Sequence, residues 1–148
     1  MGRAARAIII ENDQLLLMLR DKEGQQYCTL VGGQTQKGEG LEEALVREVR
    51  EETGLEVTGT RMVFVEKHKA PYNEQYIFLC TVAPHEPVSI QHTSEEGFMN
   101  RIGINIHTPV WVDRKAFGGI QFRTLQLHQA ILDGLQNGFP RQPVELRS

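Results

Sequence analysis

The pattern of hydrophobic and polar residues predicts a series of short strands interrupted by two helices. Two apolar runs of strand length, Ala4–Ile10 and Gln14–Leu19, open the chain. The polar residues Asn12 and Asp13 lie between them and favour a turn, so the two runs predict a hairpin. A third short run, Tyr27–Val31, leads into a glycine-rich segment.

A longer helical pattern follows in the middle of the chain. Apolar residues recur at helical spacing from Leu41 to Thr53, and Gly54 is typical of the left-handed residue just beyond a helix end. Two strand-like segments come next, Glu56–Lys69 and Glu74–Ala83, joined by a Pro-Tyr-Asn turn. The predicted helix is therefore flanked by strands on both sides.

The last part of the chain combines a polar stretch with one strand and one helix. Residues 84–106 show little periodicity, and loops of that length are often functional. Thr108–Asp113 is a further strand candidate, and Arg123–Gly138 has the pattern of a closing helix, with Pro140 as an additional stop signal. Runs of strands interrupted by two helices predict an α+β or mixed α/β layer structure.

Length, charge and cysteine content limit the class of protein. A chain of 148 residues fits a single domain, residues 1–148. The formal net charge of −3 shows no basic excess for holding a nucleic-acid polymer, although a single nucleotide is compatible. Cys28 and Cys80 form neither a CxxC pair nor a disulfide framework. Without a membrane span or secretory signal, we expect a cytoplasmic protein; the oligomeric state, a homodimer included, stays open.

Three glutamates crowd the end of the predicted helix. At about 100° per residue, Glu48, Glu51 and Glu52 fall within one arc of about 100° that overlaps the apolar face. Glu48 and Glu52 repel each other by roughly 0.2–0.5 kcal/mol, and Glu51 and Glu52 lie near the negative end of the helix dipole. A divalent cation relieves these penalties together, and Mg²⁺ suits oxygen ligands and substrate phosphates. The alternative is a charged helix with surface glutamates.

The residues around these glutamates complete the local pattern. Glu43, Arg47 and Arg50 fall on the opposite side of the helix, which is interpreted as solvated, with Glu43 and Arg47 at a favourable i,i+4 spacing. The preceding segment "GGQTQKGEG" either lets the backbone approach a ligand closely or serves as a flexible lead-in. It has neither P-loop nor GxGxxG spacing, so those two phosphate-binding motifs are excluded.

The spacing across the glycine segment and the helix resembles the Nudix signature. Gly33, five residues, Glu39, seven residues and then "REVREETGL", Arg47–Leu55, match all nine defined positions in 23 residues. The other strands and the closing helix are similar to the rest of a Nudix domain. One departure is that "YCTLVGG" lacks the tryptophan and proline that often precede the glycine pair.

The resemblance implies an α/β fold, a Nudix-type α/β/α sandwich around a mixed β-sheet. It implies metal-dependent hydrolysis, with Mg²⁺ or Mn²⁺, of a diphosphate bond in a nucleoside diphosphate linked to another moiety. The expected partner is therefore a small molecule. The family's metal ligands are matched by the Gly33 carbonyl, Glu48, Glu51 and Glu52, its glutamate-orienting arginine by Arg47, and an assisting glutamate by Glu39.

The general base and the substrate stay open on the sequence. In the family the general base is either a glutamate of the Nudix signature or a glutamate on a later loop. Glu52 and Glu96 are therefore the candidates. Pro71 and Tyr72 lie near positions that accompany hydrolysis of ADP-ribose and of dinucleoside polyphosphates, yet turn chemistry also explains both. Sugar nucleotides and (d)NTPs are further substrate classes. Trp111 is interpreted as a core residue.

A non-catalytic Nudix-fold module that senses a nucleotide is the alternative function. Such modules usually lose one of the glutamates of the Nudix signature. This chain has all of them, which favours an enzyme. A diphosphate isomerase acting on isoprenoids shares the fold but needs additional Cys and Glu chemistry. Cys28 and Cys80 show no catalytic context.

Overall fold

The strands and helices follow the predicted order closely. The computed structural model describes residues 2–68, 74–86 and 106–147. In these ranges the elements are β1 (Arg3–Glu11), β2 (Gln14–Lys22), β3 (Gln25–Gln34), α1 (Leu41–Thr53), β4 (Val57–Lys67), β5 (Glu74–Val82), β6 (Ile106–Asp113), a 3₁₀ turn (Phe117–Gly119), α2 (Leu125–Asn137) and β7 (Val144–Arg147). The 3₁₀ turn and β7 were not predicted, because short elements give too few residues for a period.

Seven strands of the described residues form one mixed sheet. Their spatial order is β6-β2-β3-β1-β5-β4-β7. β1 runs antiparallel to β2 and β3 and parallel to β5, and β4 runs antiparallel to β5 and parallel to β7. The predicted hairpin is confirmed, since Ile10 pairs with Leu15 across a turn in which Asn12 and Asp13 have φ of 50° and 63°.

Two hydrophobic layers cover the opposite faces of this sheet. Successive residues of a strand point to opposite faces, so Ile8 belongs to the layer that contains Ile131 of α2, whereas Ile9 belongs to the layer that contains Leu45 and Val49 of α1. The result is an α/β/α sandwich around a mixed sheet, as expected from the sequence. Neither described helix has the length and hydrophobicity needed to cross a membrane.

The connection from β3 to α1 brings the glycine segment against the helix. β3 extends beyond the predicted Val31 because Gly33 and Gln34 continue to pair with β1. Glu43 caps the start of α1 by accepting a hydrogen bond from the Gly40 N–H at 3.2 Å. The helix ends at Gly54, which has the predicted left-handed conformation with φ of 80°.

Candidate functional site

The last two turns of α1 place three carboxylates in different surroundings. Glu52 is fully buried, whereas 12% of the Glu48 side chain and 39% of the Glu51 side chain are exposed. This order follows the helix wheel, because Glu52 lies nearest to Leu45 on the apolar face and Glu51 furthest from it. The three glutamates thus run from the protein interior to its surface.

Glu52 connects the end of α1 to β3. Its Oε1 accepts a hydrogen bond of 2.6 Å from the backbone N–H of Gly32. Burial shields this hydrogen bond from water, which strengthens it. This contact therefore fixes the buried carboxylate relative to the glycine pair.

Glu48 lies directly against Gly33. A Cβ atom added to Gly33 would be 2.5 Å from Cδ of Glu48, a distance that no side chain can occupy. Glycine at this position thus lets the strand backbone and the carboxylate come together. The sequence predicts a close approach of this segment to a ligand, whereas the group next to Gly33 in the structure is the Glu48 side chain.

Arg47 links several acidic groups of the site. Its guanidinium donates to Glu39 Oε2 at 2.8 Å, to Glu48 Oε1 at 2.9 Å and to Glu51 Oε2 at 3.3 Å. The interpretation of Arg47 as a solvated residue paired with Glu43 is therefore wrong: its side chain is only 22% exposed and turns toward the glutamates, while Glu43 caps the helix. One cation offsets the repulsion between Glu48 and Glu51.

Glu39 anchors Arg47 from the loop before α1. Two Arg47 nitrogens contact the two oxygens of the Glu39 carboxylate, at 2.8 and 3.0 Å. The hydrogen bond from Arg47, together with one from the Gln36 N–H, lowers the pKa of Glu39 to about 2. Glu39 is therefore ionised throughout the neutral range and holds the guanidinium in a fixed plane.

The chemistry of the donors fits a hard divalent cation. Glu48, Glu51 and Glu52 provide carboxylate oxygens and Gly33 provides a backbone carbonyl, and oxygen ligands are those that Mg²⁺ and Mn²⁺ prefer. Within the ranges the structure describes, no three His, Cys, Asp or Glu side chains already stand as a metal-holding cluster. Glu48 and Glu51 contact Arg47, while Glu52 contacts Gly32.

Comparison with known protein families decides the assignment. The family model for the NUDIX domain matches residues 1–117, well over half of the chain. The chain belongs to the NUDIX family. Membership in this family supports the interpretation of the chain as a pyrophosphohydrolase that acts on small nucleotide derivatives. No curated protein sequence matches this NUDIX protein.

Solved structures of the same fold align with nearly the whole chain. A NUDIX hydrolase from Nitrosomonas europaea is 19% identical, with 97% of this chain and 93% of that one covered and a TM-score of 0.71. A second NUDIX hydrolase from that organism is 14% identical, with 99% of this chain and 79% of that one covered, and has a TM-score of 0.72. A MutT protein from Bacillus halodurans is 18% identical, with 99% of this chain and 88% of that one covered, and has a TM-score of 0.67.

A cavity of about 400 Å³ opens beside the glutamates of this NUDIX protein. Gly33, Glu48 and Arg47 line one part of it, and Arg6 and Arg20 line another. Arg6 donates to the Gly32 carbonyl at 2.8 Å, so a cation lies next to the glycine pair. Among the described residues, one carboxylate and three arginines therefore line this cavity, and guanidinium groups suit phosphate oxygens.

Sequence reasoning missed Arg6 and Arg20. A signal was present, since each arginine interrupts or ends an apolar strand run, "AARAIII" and "LLLMLRDK", at a position where a charge is costly unless it serves a site. The strand β1 brings Arg6 to the cavity because it pairs with β3 on one side and with β5 on the other. Only this non-local pairing reveals the arginine's position.

Several residues considered on the sequence fall elsewhere. Glu96, Pro71 and Tyr72 lie outside the described residues. Trp111, which is interpreted as a core residue on the sequence, is only partly buried and packs against the hydrophobic layer on the α1 side. The two cysteines are free and buried, and burial raises the pKa of the Cys28 thiol and raises that of Cys80 to about 12, so neither is an activated nucleophile.

Proposed function

We propose that this NUDIX protein hydrolyses a diphosphate bond in a nucleoside diphosphate linked to another moiety, and that it requires Mg²⁺ or Mn²⁺. One observation carries the proposal: a fully buried glutamate, Glu52, lies in the same helical turn as Glu48, which borders an arginine-lined cavity. A buried carboxylate beside a basic cavity is suited to a cation and a phosphorylated substrate.

The proposed metal ligands are the Gly33 carbonyl, Glu48, Glu51 and Glu52. When bound, Mg²⁺ or Mn²⁺ supplies neutralisation of the phosphate charge and a lowered pKa for a water molecule at the site. Members of the family generally use divalent metal ions. The position of Glu48 against Gly33 supports the inclusion of the backbone carbonyl in this set.

The chain's own side chains have separate roles in the proposed reaction. Arg6 and Arg20 bind phosphate oxygens of the substrate, because both line the cavity next to the glycine pair. Arg47, held by Glu39, orients Glu48 and Glu51. We assign to Glu52 the role of proton acceptor for the attacking water, with Glu96 as the second candidate from outside the described residues.

A substrate panel tests this proposal. The protein is incubated with ADP-ribose, sugar nucleotides, dinucleoside polyphosphates, (d)NTPs and oxidised (d)NTPs, with Mg²⁺, with Mn²⁺ and with a chelator, and mononucleotide and phosphate release is measured. Hydrolysis in ¹⁸O-labelled water identifies the phosphorus that is attacked. We expect metal-dependent release from at least one class. Nucleotide binding without any hydrolysis would identify the non-catalytic sensor module instead.

A further inference from the structure

A second cavity adjoins the one beside Glu48. The two cavities share Arg6 and Arg20. The second has a volume of about 260 Å³ and extends from these arginines to Tyr27, Arg123 and Thr124. The shared arginines therefore place the two cavities next to each other.

Three arginines give the second cavity a strongly positive lining. Arg6, Arg20 and Arg123 border it, and no Asp or Glu of the described residues does. Glu66 is fully buried behind this lining. Its carboxylate accepts hydrogen bonds from Gln75 and Thr124, which line the cavity. The charge at the cavity surface is thus cationic.

Two of these guanidinium groups are held by uncharged partners. Arg20 donates to Thr29 Oγ1 at 2.9 Å, and the Arg123 guanidinium carbon lies 3.7 Å from the centre of the Tyr27 ring. No salt bridge among the described residues involves Arg20 or Arg123. Neutral partners orient a guanidinium without neutralising it, so its charge stays available to an anionic ligand.

The third guanidinium is fixed by a chain of hydrogen bonds. Arg6 donates through Nε to Gln75 Oε1 at 2.9 Å, and Gln75 donates to the buried Glu66 at 3.0 Å. Holding an arginine in one conformation in advance reduces the entropy lost when it binds a phosphate. The Arg6 side chain is therefore preorganised at the junction of the two cavities.

We propose that the second cavity binds phosphate groups beyond the cleaved diphosphate, so that the substrate contains three or more consecutive phosphates. A nucleoside diphosphate sugar places both of its phosphates at the carboxylate end, and its sugar offers neutral hydroxyl groups. Three guanidinium groups instead match further phosphate oxygens, each of which accepts charge-assisted hydrogen bonds. This inference rests on the proposed function and narrows its substrate class.

Activity measurements on paired substrates test the subsite. The values of kcat/KM are compared for a nucleoside triphosphate, a dinucleoside tetraphosphate and ADP-ribose, in the wild type and in Arg20→Gln and Arg123→Gln. We expect the wild type to prefer one of the two polyphosphates. Arg123→Gln should lower kcat/KM for it by about tenfold or more and change kcat/KM for ADP-ribose by less than about threefold. Arg20 lines both cavities, so Arg20→Gln should lower kcat/KM for the polyphosphate and for ADP-ribose. Arg61→Gln is the matched control, because Arg61 is an exposed strand arginine that lines neither cavity.

Binding without catalysis gives an independent readout. Inorganic tripolyphosphate and pyrophosphate are titrated into the wild type and the same three variants in the presence of a chelator, and the thermal unfolding of each variant is recorded to show that it is folded. We expect tighter binding of tripolyphosphate than of pyrophosphate, and loss of that difference in Arg123→Gln but not in Arg61→Gln. Arg20→Lys keeps the positive charge, so we expect it to retain part of the preference for tripolyphosphate over pyrophosphate.

The outcomes separate this inference from the proposed function. Hydrolysis that favours ADP-ribose or a sugar nucleotide, with Arg123→Gln equal to the wild type, would overturn the subsite and leave the hydrolase intact. Failure to cleave any member of the panel would overturn the proposed function, while selective tripolyphosphate binding would still support the subsite. Equal binding of tripolyphosphate and pyrophosphate by the wild type would overturn the subsite directly.

Discussion

The backbone N–H of Gly32 lies 2.6 Å from Oε1 of Glu52, and the two groups form a hydrogen bond inside the protein. The contact joins the last turn of the helix Leu41–Thr53 to the strand that carries the glycine pair. It keeps one carboxylate of the proposed metal site buried even though its position at the helix end opposes negative charge. Several consequences of this arrangement can be measured.

Replacement of Glu52 by Gln tests the role of its charge. The amide oxygen can still accept the Gly32 hydrogen bond, so we expect the midpoint of thermal unfolding to fall by no more than about 4 °C. Because the variant can neither bind a cation as a carboxylate nor accept a proton, we expect kcat to fall by about 100-fold or more. Glu56→Gln is the control, since Glu56 is an exposed carboxylate paired with Arg50. Full activity of Glu52→Gln would contradict the assignment.

Replacement of Gly33 by Ala tests the close approach to Glu48. The new methyl group would be 2.5 Å from the carboxyl carbon, so Glu48 has to move away from the strand. We expect the affinity for Mn²⁺, measured by calorimetric titration, to fall by about 10- to 100-fold. Gly119→Ala is the control, because a Cβ at Gly119 meets no atom within 4 Å. Equal Mn²⁺ affinities in the two variants would show that Glu48 is not a ligand.

Replacement of Arg47 by Lys tests the fork-shaped contact with Glu39. A lysine keeps the charge but cannot make the two parallel hydrogen bonds to this carboxylate or reach Glu48 in the same geometry. We expect the free energy of unfolding to decrease by about 1–3 kcal/mol and kcat to fall along with it. Urea unfolding measures the first effect. Arg50→Lys, in the exposed pair Arg50–Glu56, should change neither the free energy of unfolding nor kcat. A similar decrease in this variant would point to a general effect of helix charge.

The stability of the protein should depend on pH through His107. Burial, and then the neighbouring Arg20, lowers the pKa of His107 from 6.5 to about 4. Between these two values the unfolded chain binds a proton that the folded protein does not, so stability is lost as the pH falls from about 6.5 to about 4 and is unaffected by this group at higher pH. Unfolding free energies of the wild type and His107→Gln, measured across that interval, should diverge. Parallel curves would contradict the shift.

The sequence predicts the strands and helices of this fold because most of them are long enough to show their period. The hairpin at Asn12 and Asp13, the helix from Leu41 to Thr53 and its end at Gly54 all appear as predicted. The strand Val144–Arg147 was missed because its four residues are mostly exposed and its pairing with the strand Val57–Lys67 is not local.

The candidate site was only partly accessible to sequence reasoning. The spacing of Glu48, Glu51 and Glu52 within one helix is local, and a helical wheel correctly places Glu52 on the apolar face. The partners of Arg47 were misjudged on the wheel because Glu39 approaches from the preceding loop, outside the helix. Arg6 and its cavity depend on the pairing of distant strands, which no local pattern contains.

Titration of Mn²⁺ into the purified protein shows whether Glu52 belongs to a metal site. Calorimetry is performed at neutral pH on the wild type, Glu52→Gln and Glu56→Gln, with circular dichroism to show that each is folded. We expect saturable binding by the wild type, an affinity lowered by about 10-fold or more in Glu52→Gln, and no change in Glu56→Gln. A folded wild type that binds neither Mn²⁺ nor Mg²⁺, or equal affinities in all three proteins, would contradict this expectation.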